Sequence, residues 1–277
     1  MPTYRAADGA ELFYDEEGEG TPVVFISGGA ARHPSYLGDL AGIGTDRRRI
    51  TLHLRGVGRS PLPADETAAS WWAQGDDLDA LRAHLGVDRL DIVAHSAGTR
   101  LTTAFVARHP DRAGRTVLVT PPVGHLVDEP SDVPAIAARR TGDAEFESAF
   151  RHLSVDLPID DEAAFAVWDA DTAAAGYAHW GEAERAHAKV GARAIPAALA
   201  YFSSQAPAEL PALVGRTDAP VLVIAGAEDA LTGCAPVVAA AGLFRHGESV
   251  VLADCGHYPW VEQPEAFRAA VDEFLSR

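Results

Sequence analysis

Short apolar runs alternate with longer helical patterns along this chain, and this alternation restricts its fold more than any other feature. It is typical of parallel strands joined by crossover helices. The runs are continuous and rich in β-branched residues, as expected for strands covered on both faces. The sequence therefore predicts an α/β fold with a mostly parallel sheet, whose strands lie at residues 22–27, 49–54, 90–95, 116–120, 220–226 and 249–254.

Two helices are predicted between these strands. Residues 66–85 carry leucines at helical spacing and are followed by Gly86, a typical C-cap. Residues 96–109 are followed by Pro110, which cannot continue a helix. Both segments are long enough to cover a face of the predicted sheet.

The pattern changes over residues 121–217, where strand-like runs disappear and alanine, acidic and aromatic residues dominate. A structureless connection of this length is improbable inside a compact chain, so helices are expected. We predict an α/β core from residues 1–120 and 218–277, with residues 121–217 as a helical cap. The cap is expected at the carboxyl edge of the strands, where open α/β sheets bind ligands.

Charge and composition narrow the partners of the 277-residue chain. A formal net charge of −17 argues against nucleic acid and membrane surfaces as partners. The first residues lack a signal-peptide pattern, so a cytoplasmic protein acting on a small molecule or short peptide is expected. Cys234 and Cys255 are expected to be free thiols, and no metal site is predicted because ligand-like spacings are missing. The oligomeric state stays open.

The stretch DIVAHSAGTR, residues 91–100, places Ser96 after a predicted strand and before a predicted helix. Ala94 and Gly98 flank it two positions away, which fits the nucleophile elbow G-x-S-x-G except for the first glycine. A serine on such an elbow has a strained backbone and an exposed hydroxyl group. Taken alone, the motif is equally compatible with an ordinary turn.

Two further residues give the serine a base and an orienting acid. Asp229 follows the strand 220–226, and His257 follows the strand 249–254. The chain order serine, aspartate, histidine is that of hydrolases with a serine nucleophile on this class of sheet. We therefore predict Ser96, Asp229 and His257 as a catalytic triad.

A glycine-rich loop after strand 22–27 is a candidate oxyanion hole. It contains Gly28, Gly29 and Ala30. The predicted donors are the backbone amides of Gly29 and of Ala97, the residue after the candidate nucleophile.

The motifs IVAHSAGTR, HLRGVGRS, PVLVIAGAEDALT and GHYPWVEQPEAF together resemble the α/β-hydrolase superfamily, and within it the proline iminopeptidase-like branch. This resemblance implies an eight-stranded, mostly parallel sheet, a helical cap and a Ser-His-Asp mechanism without a cofactor. The family usually has His-Gly-Gly-Pro where this chain has residues 27–30, beginning with Ser27. We hypothesise that His53, gained at the next strand end, takes over the space and polar function lost at Ser27.

Iminopeptidases of this branch hold a free amine with cap carboxylates, often in a Trp-x-x-Trp-Glu pattern. The corresponding residues here are Phe165, Trp168 and Asp169, and we predict Trp168 and Asp169 as substrate-binding residues. A second anchoring acid is missing around residues 193–202, which makes aminopeptidase activity doubtful. The cap acids are equally compatible with a solvated surface.

The function predicted from these features is a serine hydrolase that cleaves a small ester, lactone or amide through an acyl-enzyme. Candidate amide bonds include the N-terminal aminoacyl bond of a peptide. Two alternatives stay open: a lyase or isomerase in which His257 acts on a carbon acid, and a receptor-like protein with slow turnover.

Overall fold

Eight strands form one sheet in the computed structural model of the chain, which describes residues 2–29 and 31–277. The strands are β1 (Thr3–Arg5), β2 (Glu11–Glu17), β3 (Pro22–Ile26), β4 (Arg48–Leu52), β5 (Leu90–His95), β6 (Ala113–Val119), β7 (Val221–Gly226) and β8 (Gly247–Leu252). Their order across the sheet is β1-β2-β4-β3-β5-β6-β7-β8, and every pair from β4 to β8 is parallel. The predicted α/β fold with a mostly parallel sheet is confirmed.

The first two strands were not among the six predicted from apolar runs. They join the sheet through antiparallel pairs, β1 with β2 and β2 with β4. Only Leu12 and Tyr14 of β2 are buried, and the strand carries charged residues elsewhere. A strand near the edge of a sheet needs only one apolar face, so it lacks the continuous hydrophobic run that identified the central strands.

The helices are α1 (Gly75–Leu85), α2 (Gly98–Arg108), α3 (Val133–Arg139), α4 (Ala144–His152), α5 (Glu162–Thr172), α6 (Glu182–Ala188), α7 (Ile195–Tyr201), α8 (Leu210–Val214), α9 (Ala235–Ala240), α10 (Pro259–Glu262) and α11 (Pro264–Ser276). Gly86 ends α1 in a left-handed conformation at φ +70°, as predicted for a C-cap. Helix α2 begins at Gly98 rather than Ser96, because Ser96 has a non-helical backbone. The segment before α1 contains only a short 3₁₀ turn at Glu66–Ala69.

Helices α3 to α8 lie between β6 and β7, which confirms the predicted helical character of this segment. Tyr201 at the end of α7 forms hydrogen bonds to residues before α1 and after β5. Its hydroxyl group donates to the Ala97 carbonyl at 2.7 Å, and its own carbonyl accepts from the Trp71 backbone N–H at 2.8 Å. The division into a core and a cap domain stays a prediction.

Apolar side chains fill both faces of the sheet. Alternate residues of a strand point to opposite faces, so Val24 packs with one cluster and Val23 with the other. Trp71 lies fully buried in the first cluster, and Trp180 packs against the second, so neither lines the cavity described below. None of the helices in the described part of the chain has the length and apolar composition needed to cross a membrane.

Candidate active site

Ser96 lies on a sharp turn between the end of β5 and the start of α2. Its backbone has φ +49°, a left-handed conformation that costs a non-glycine residue roughly 1–3 kcal/mol. The turn brings α2 so close to β3 that a Cβ on Gly98 would lie 2.5 Å from the Ser27 carbonyl oxygen. Alanine is accommodated at position 94, where its methyl group is fully buried. The strained turn therefore holds the Ser96 hydroxyl at the carboxyl end of β5.

His257 lies between Ser96 and Asp229. Its Nε2 is 2.8 Å from Ser96 Oγ, and its Nδ1 is 2.8 Å from Asp229 Oδ2. Because an ionised carboxylate can only accept, Nδ1 carries the proton and Nε2 is free to accept the hydroxyl proton. The structure thus brings the three residues of the predicted triad together in the geometry that activates a serine hydroxyl.

The Asp229 carboxylate is fully buried and accepts several hydrogen bonds. Oδ1 accepts from the backbone N–H groups of Leu231 at 2.9 Å and Thr232 at 3.2 Å, and Oδ2 accepts from the Thr232 hydroxyl at 2.5 Å. Burial by itself raises the pKa of Asp229, but the electrostatic interaction with His257 and the hydrogen bonds from His257, Thr232 and Leu231 lower it below its usual value. Ionised Asp229 therefore stabilises the folded state at pH values above the usual aspartate pKa. This stabilisation is lost as the pH falls through the lowered pKa.

The loop after β3 contains the predicted oxyanion-binding amide of Gly29, which adopts φ +63°. Gly29 and Ala97 both line the same cavity, and neither backbone N–H has an acceptor in the described part of the chain. The Gly28 N–H is already used, because it donates to the Tyr36 hydroxyl at 2.6 Å. Ala30, the third residue of this loop, lies outside the described residues.

His95 connects this loop to the backbone of His257. Its Nε2 lies 2.9 Å from the His257 carbonyl oxygen and must donate, so its Nδ1 accepts from the Tyr36 hydroxyl at 2.7 Å. Burial and the neighbouring His257 lower the pKa of His95 well below its usual value, which keeps it in the neutral form that this arrangement needs. The Thr120 hydroxyl donates to the same carbonyl at 3.1 Å. These bonds fix His257 relative to β5 and the glycine loop.

Ser96 and His257 line a cavity of about 620 Å³, which has the size of a small-molecule site. Side chains of the segment between β6 and β7 form much of its wall. Most of this wall is apolar: Leu153, Leu157, Ile159, Phe165, Ile195, Leu199 and Phe202 contribute, together with Leu231 after β7. The cavity therefore favours an occupant with an apolar body.

Trp168 and Asp169, the predicted substrate-binding residues, both line this cavity. The Asp169 carboxylate is ion-paired, because its Oδ1 accepts from Arg193 Nε at 2.7 Å and lies 2.7 Å from Arg193 Nη2. Nη1 of Arg193 donates to the Gly29 carbonyl at 3.0 Å. Asp169 thus holds Arg193 against the glycine loop, and a substrate ammonium group would have to displace that arginine.

A family model described as the alpha/beta hydrolase fold matches residues 21–264. The chain is an α/β-hydrolase. A proline iminopeptidase of Heyndrickxia coagulans is 31% identical over 108 residues, which are 39% of this chain and 38% of that protein. The matched stretches span about a third to a half of the length of the curated relatives. These similarities confirm the resemblance to the proline iminopeptidase-like branch.

Solved structures match this α/β-hydrolase over its whole length. The esterase RhEst1 from Rhodococcus sp. ECU1013 has a TM-score of 0.77 at 22% identity, covering 99% of this chain and 98% of that one. A protein described as a putative aryl esterase from Burkholderia cenocepacia has a TM-score of 0.73 at 24% identity, covering 100% and 99%. At these identities the likeness establishes the fold alone.

The structure does not support our hypothesis that His53 replaces the family histidine lost at Ser27. His53 Nε2 pairs with Asp15 Oδ2 at 3.0 Å, and its Nδ1 accepts from the Arg59 backbone N–H at 3.3 Å. His53 is also not among the residues that line the cavity. The imidazole against the glycine loop of this α/β-hydrolase is that of His95, which the sequence analysis did not single out.

Replacing Ser27 by alanine is expected to leave the α/β-hydrolase as stable as before or up to about 1 kcal/mol more stable, with ester turnover unchanged. The Ser27 hydroxyl is buried and has no hydrogen-bond partner among the described residues, so its removal relieves a desolvation penalty. Thermal unfolding and kcat/KM measurements check this. A clear loss of stability would show that the hydroxyl has a partner and contradict this explanation.

Several residues around the site were missed from the sequence. His95 and Arg100 lie within the same ten-residue stretch as Ser96, and their spacing from it could have identified them. Tyr36 and Arg193 gave no local signal, because their partners lie 59 and 164 residues away in the chain.

Proposed function

We propose that this chain is a serine hydrolase that cleaves a small ester or lactone through an acyl-enzyme on Ser96. One observation supports this above all others. The hydrogen-bonded series Ser96, His257 and Asp229 opens into the same cavity as the free amides of Gly29 and Ala97. A nucleophile, a base, an orienting acid and two oxyanion donors are the groups that acyl transfer requires.

The first half of the reaction forms the acyl-enzyme. Ser96 Oγ attacks the substrate carbonyl carbon while His257 Nε2 takes the hydroxyl proton. The amides of Gly29 and Ala97 donate to the oxygen that becomes negatively charged, and Asp229 stabilises the imidazolium. The imidazolium then gives its proton to the leaving oxygen as the bond between that oxygen and the carbonyl carbon breaks.

The second half returns the enzyme to its starting state. A water molecule loses a proton to His257 Nε2 and attacks the acyl carbonyl carbon. The proton passes back to Ser96 Oγ when the acyl–oxygen bond breaks, and the carboxylic acid product leaves. The cavity holds the acyl group against its apolar wall, which we propose is formed by the cap at residues 121–217 over the core at residues 1–120 and 218–277.

The state of Asp169 favours an ester or lactone over an N-terminal aminoacyl bond. An aminopeptidase of the iminopeptidase-like branch needs a free carboxylate to bind the substrate ammonium group. Asp169 is already paired with Arg193. Removing one partner of such a charged pair leaves the other uncompensated, which is costly in a partly buried site. The relatives named proline iminopeptidase support acyl transfer.

A substrate panel with a trapping step tests this function. We expect Ser96-dependent turnover of 4-nitrophenyl butyrate and none of prolyl 4-nitroanilide. Acid quenching during turnover, followed by peptide mass spectrometry, should show a butyryl group on the Ser96 peptide. Arylamide turnover that disappears when the amine is acetylated would identify an aminopeptidase instead. No Ser96-dependent turnover of either substrate would favour the lyase or isomerase alternative and the receptor-like one, and tight ligand binding would single out the latter.

A further inference from the structure

The cavity contains more positive than negative charge. Its lining includes three arginines, Arg32, Arg100 and Arg193, and a single carboxylate, Asp169. This local excess is opposite to the charge of the whole chain, which is −17. Because charges on the outer surface are screened within about 8 Å at physiological ionic strength, groups inside the cavity decide which ligand charge is bound there.

Two of the three arginines are satisfied by the protein itself. Arg193 pairs with Asp169, as described above. Arg32 is only 3% exposed and donates to the carbonyl oxygens of His187, Ala188, Val190 and Gly191 around the end of α6. Carbonyl groups at a helix C-terminus favour a cation, so the charge of Arg32 is compensated without a carboxylate.

Arg100 has no such partner. Its side chain makes no hydrogen bond and no ion pair among the described residues, and its Nε is buried. The Phe202 ring lies beside the guanidinium group, with its centroid 5.3 Å from the guanidinium carbon. Burial lowers the pKa of Arg100, yet an arginine stays protonated at neutral pH.

The groups around Arg100 do not supply a negative charge either. Both ring nitrogens of His125 lack a hydrogen-bond partner among the described residues. Burial and the charge of Arg100 lower the pKa of His125 to about 4, so it is neutral at physiological pH. A partly buried guanidinium without a counter-charge raises the free energy of the folded protein. A ligand anion that accepts its hydrogen bonds removes this penalty, so Arg100 is a favourable anion-binding site.

The position of Arg100 relates this site to the reaction. It lies in the first turn of α2, four residues after Ser96, and both residues line the cavity. Because both side chains line this one cavity, a group bound to Arg100 lies near the carbonyl that Ser96 attacks. The planar fork of a guanidinium matches a carboxylate in shape and charge.

We propose that Arg100 binds a carboxylate of the substrate, and that the substrates are short esters or lactones carrying one carboxylate close to the attacked carbonyl. This inference rests on the proposed serine hydrolase function. The apolar wall holds the remainder of such a molecule, and Arg100 is a specificity-determining residue.

Matched substrates test the inference. Monomethyl adipate and monomethyl glutarate carry the carboxylate, and the same esters with a primary amide in its place are neutral and nearly isosteric. We expect kcat/KM to be higher for each acid, and Arg100→Gln to lower it for the acids by roughly 10- to 100-fold while leaving the amides unchanged. Arg100→Lys should retain part of the preference for acids over amides. Arg108→Gln, at the last residue of α2, should leave kcat/KM for both acids and amides unchanged.

Binding to the inactive variant Ser96→Ala separates this inference from the function on which it rests. Adipate should raise the Tm of that variant, adipamide should not, and the additional change Arg100→Gln should abolish the shift. Equal turnover of acids and amides, or an adipate shift that persists without Arg100, would overturn the carboxylate site while the hydrolase function stands. Absence of all Ser96-dependent ester turnover would overturn the function, and the Tm shifts would still decide whether Arg100 binds a carboxylate.

Discussion

Replacing Ser96 by alanine is expected to lower kcat for 4-nitrophenyl butyrate by about 10⁴- to 10⁶-fold. The change removes the oxygen proposed to bond to the acyl carbon, while the amides of Gly29 and Ala97 and the cavity stay in place. The remaining rate comes from oxyanion binding and from water activated by His257. Steady-state kinetics, with the protein checked for thermal unfolding, measures this effect.

Ser27→Ala is the matched control, because it also removes a serine hydroxyl at a strand end next to the site, but one that is buried and does not line the cavity. It should keep its activity. Alanine retains the Cβ of Ser96, so the strained turn is preserved and the Tm of the Ser96 variant should stay close to that of the wild type. A Ser96 variant that keeps more than about 1% of the rate would exclude Ser96 as the nucleophile.

The second large effect is expected for Asp229→Asn, with a loss of about 10⁴-fold in kcat near neutral pH. The asparagine oxygen is retained by the backbone N–H groups of Leu231 and Thr232, so its NH₂ group faces His257 Nδ1. Nδ1 must then accept, and the proton moves to Nε2. With this tautomer, His257 cannot take the proton of Ser96.

The experiment measures kcat at neutral pH for Asp229→Asn and for Asp132→Asn. Asp132 is a suitable control, since it accepts from the backbone N–H groups of Cys234 and Ala235 at the start of α9 and contacts no histidine in the described part of the chain. The Asp132→Asn variant should be less stable than the wild type but should keep most of its kcat. Comparable kcat losses in the two variants would mean that Asp229 acts only through folding, which contradicts the tautomer argument.

Strands β3, β5, β6 and β7 could be predicted because each is buried along nearly its whole length and so has a continuous apolar sequence. Strand β2 could not, since its outer face is polar and its pairing partner β4 lies more than 30 residues further along the chain. The helix after the predicted strand 90–95 was predicted to begin at Ser96 but begins at Gly98. The hydrophobic pattern of a sequence does not show that a residue between a strand and a helix has a left-handed backbone.

The proposed triad could be predicted from the sequence because each residue lies within three residues of the end of a predicted strand, and parallel strands bring their carboxyl ends to one edge. Asp169 shows where this reasoning stops. Its residue type and position suggested an anchor for an amine, but whether a carboxylate is free depends on its neighbour. That neighbour is Arg193, 24 residues further along, whose position follows from the pairing of its segment with Arg32.

The sequence by itself determined the class of sheet and the helical insertion and predicted the residues proposed for acyl transfer, because these depend on local periodicity and on strand order. Tertiary structure alone decided which charges in the cavity are compensated. Ion pairs join side chains that are distant in sequence, so the pairing of Arg193, the saturation of Arg32 and the isolation of Arg100 follow only from how the helices between β6 and β7 pack over the sheet.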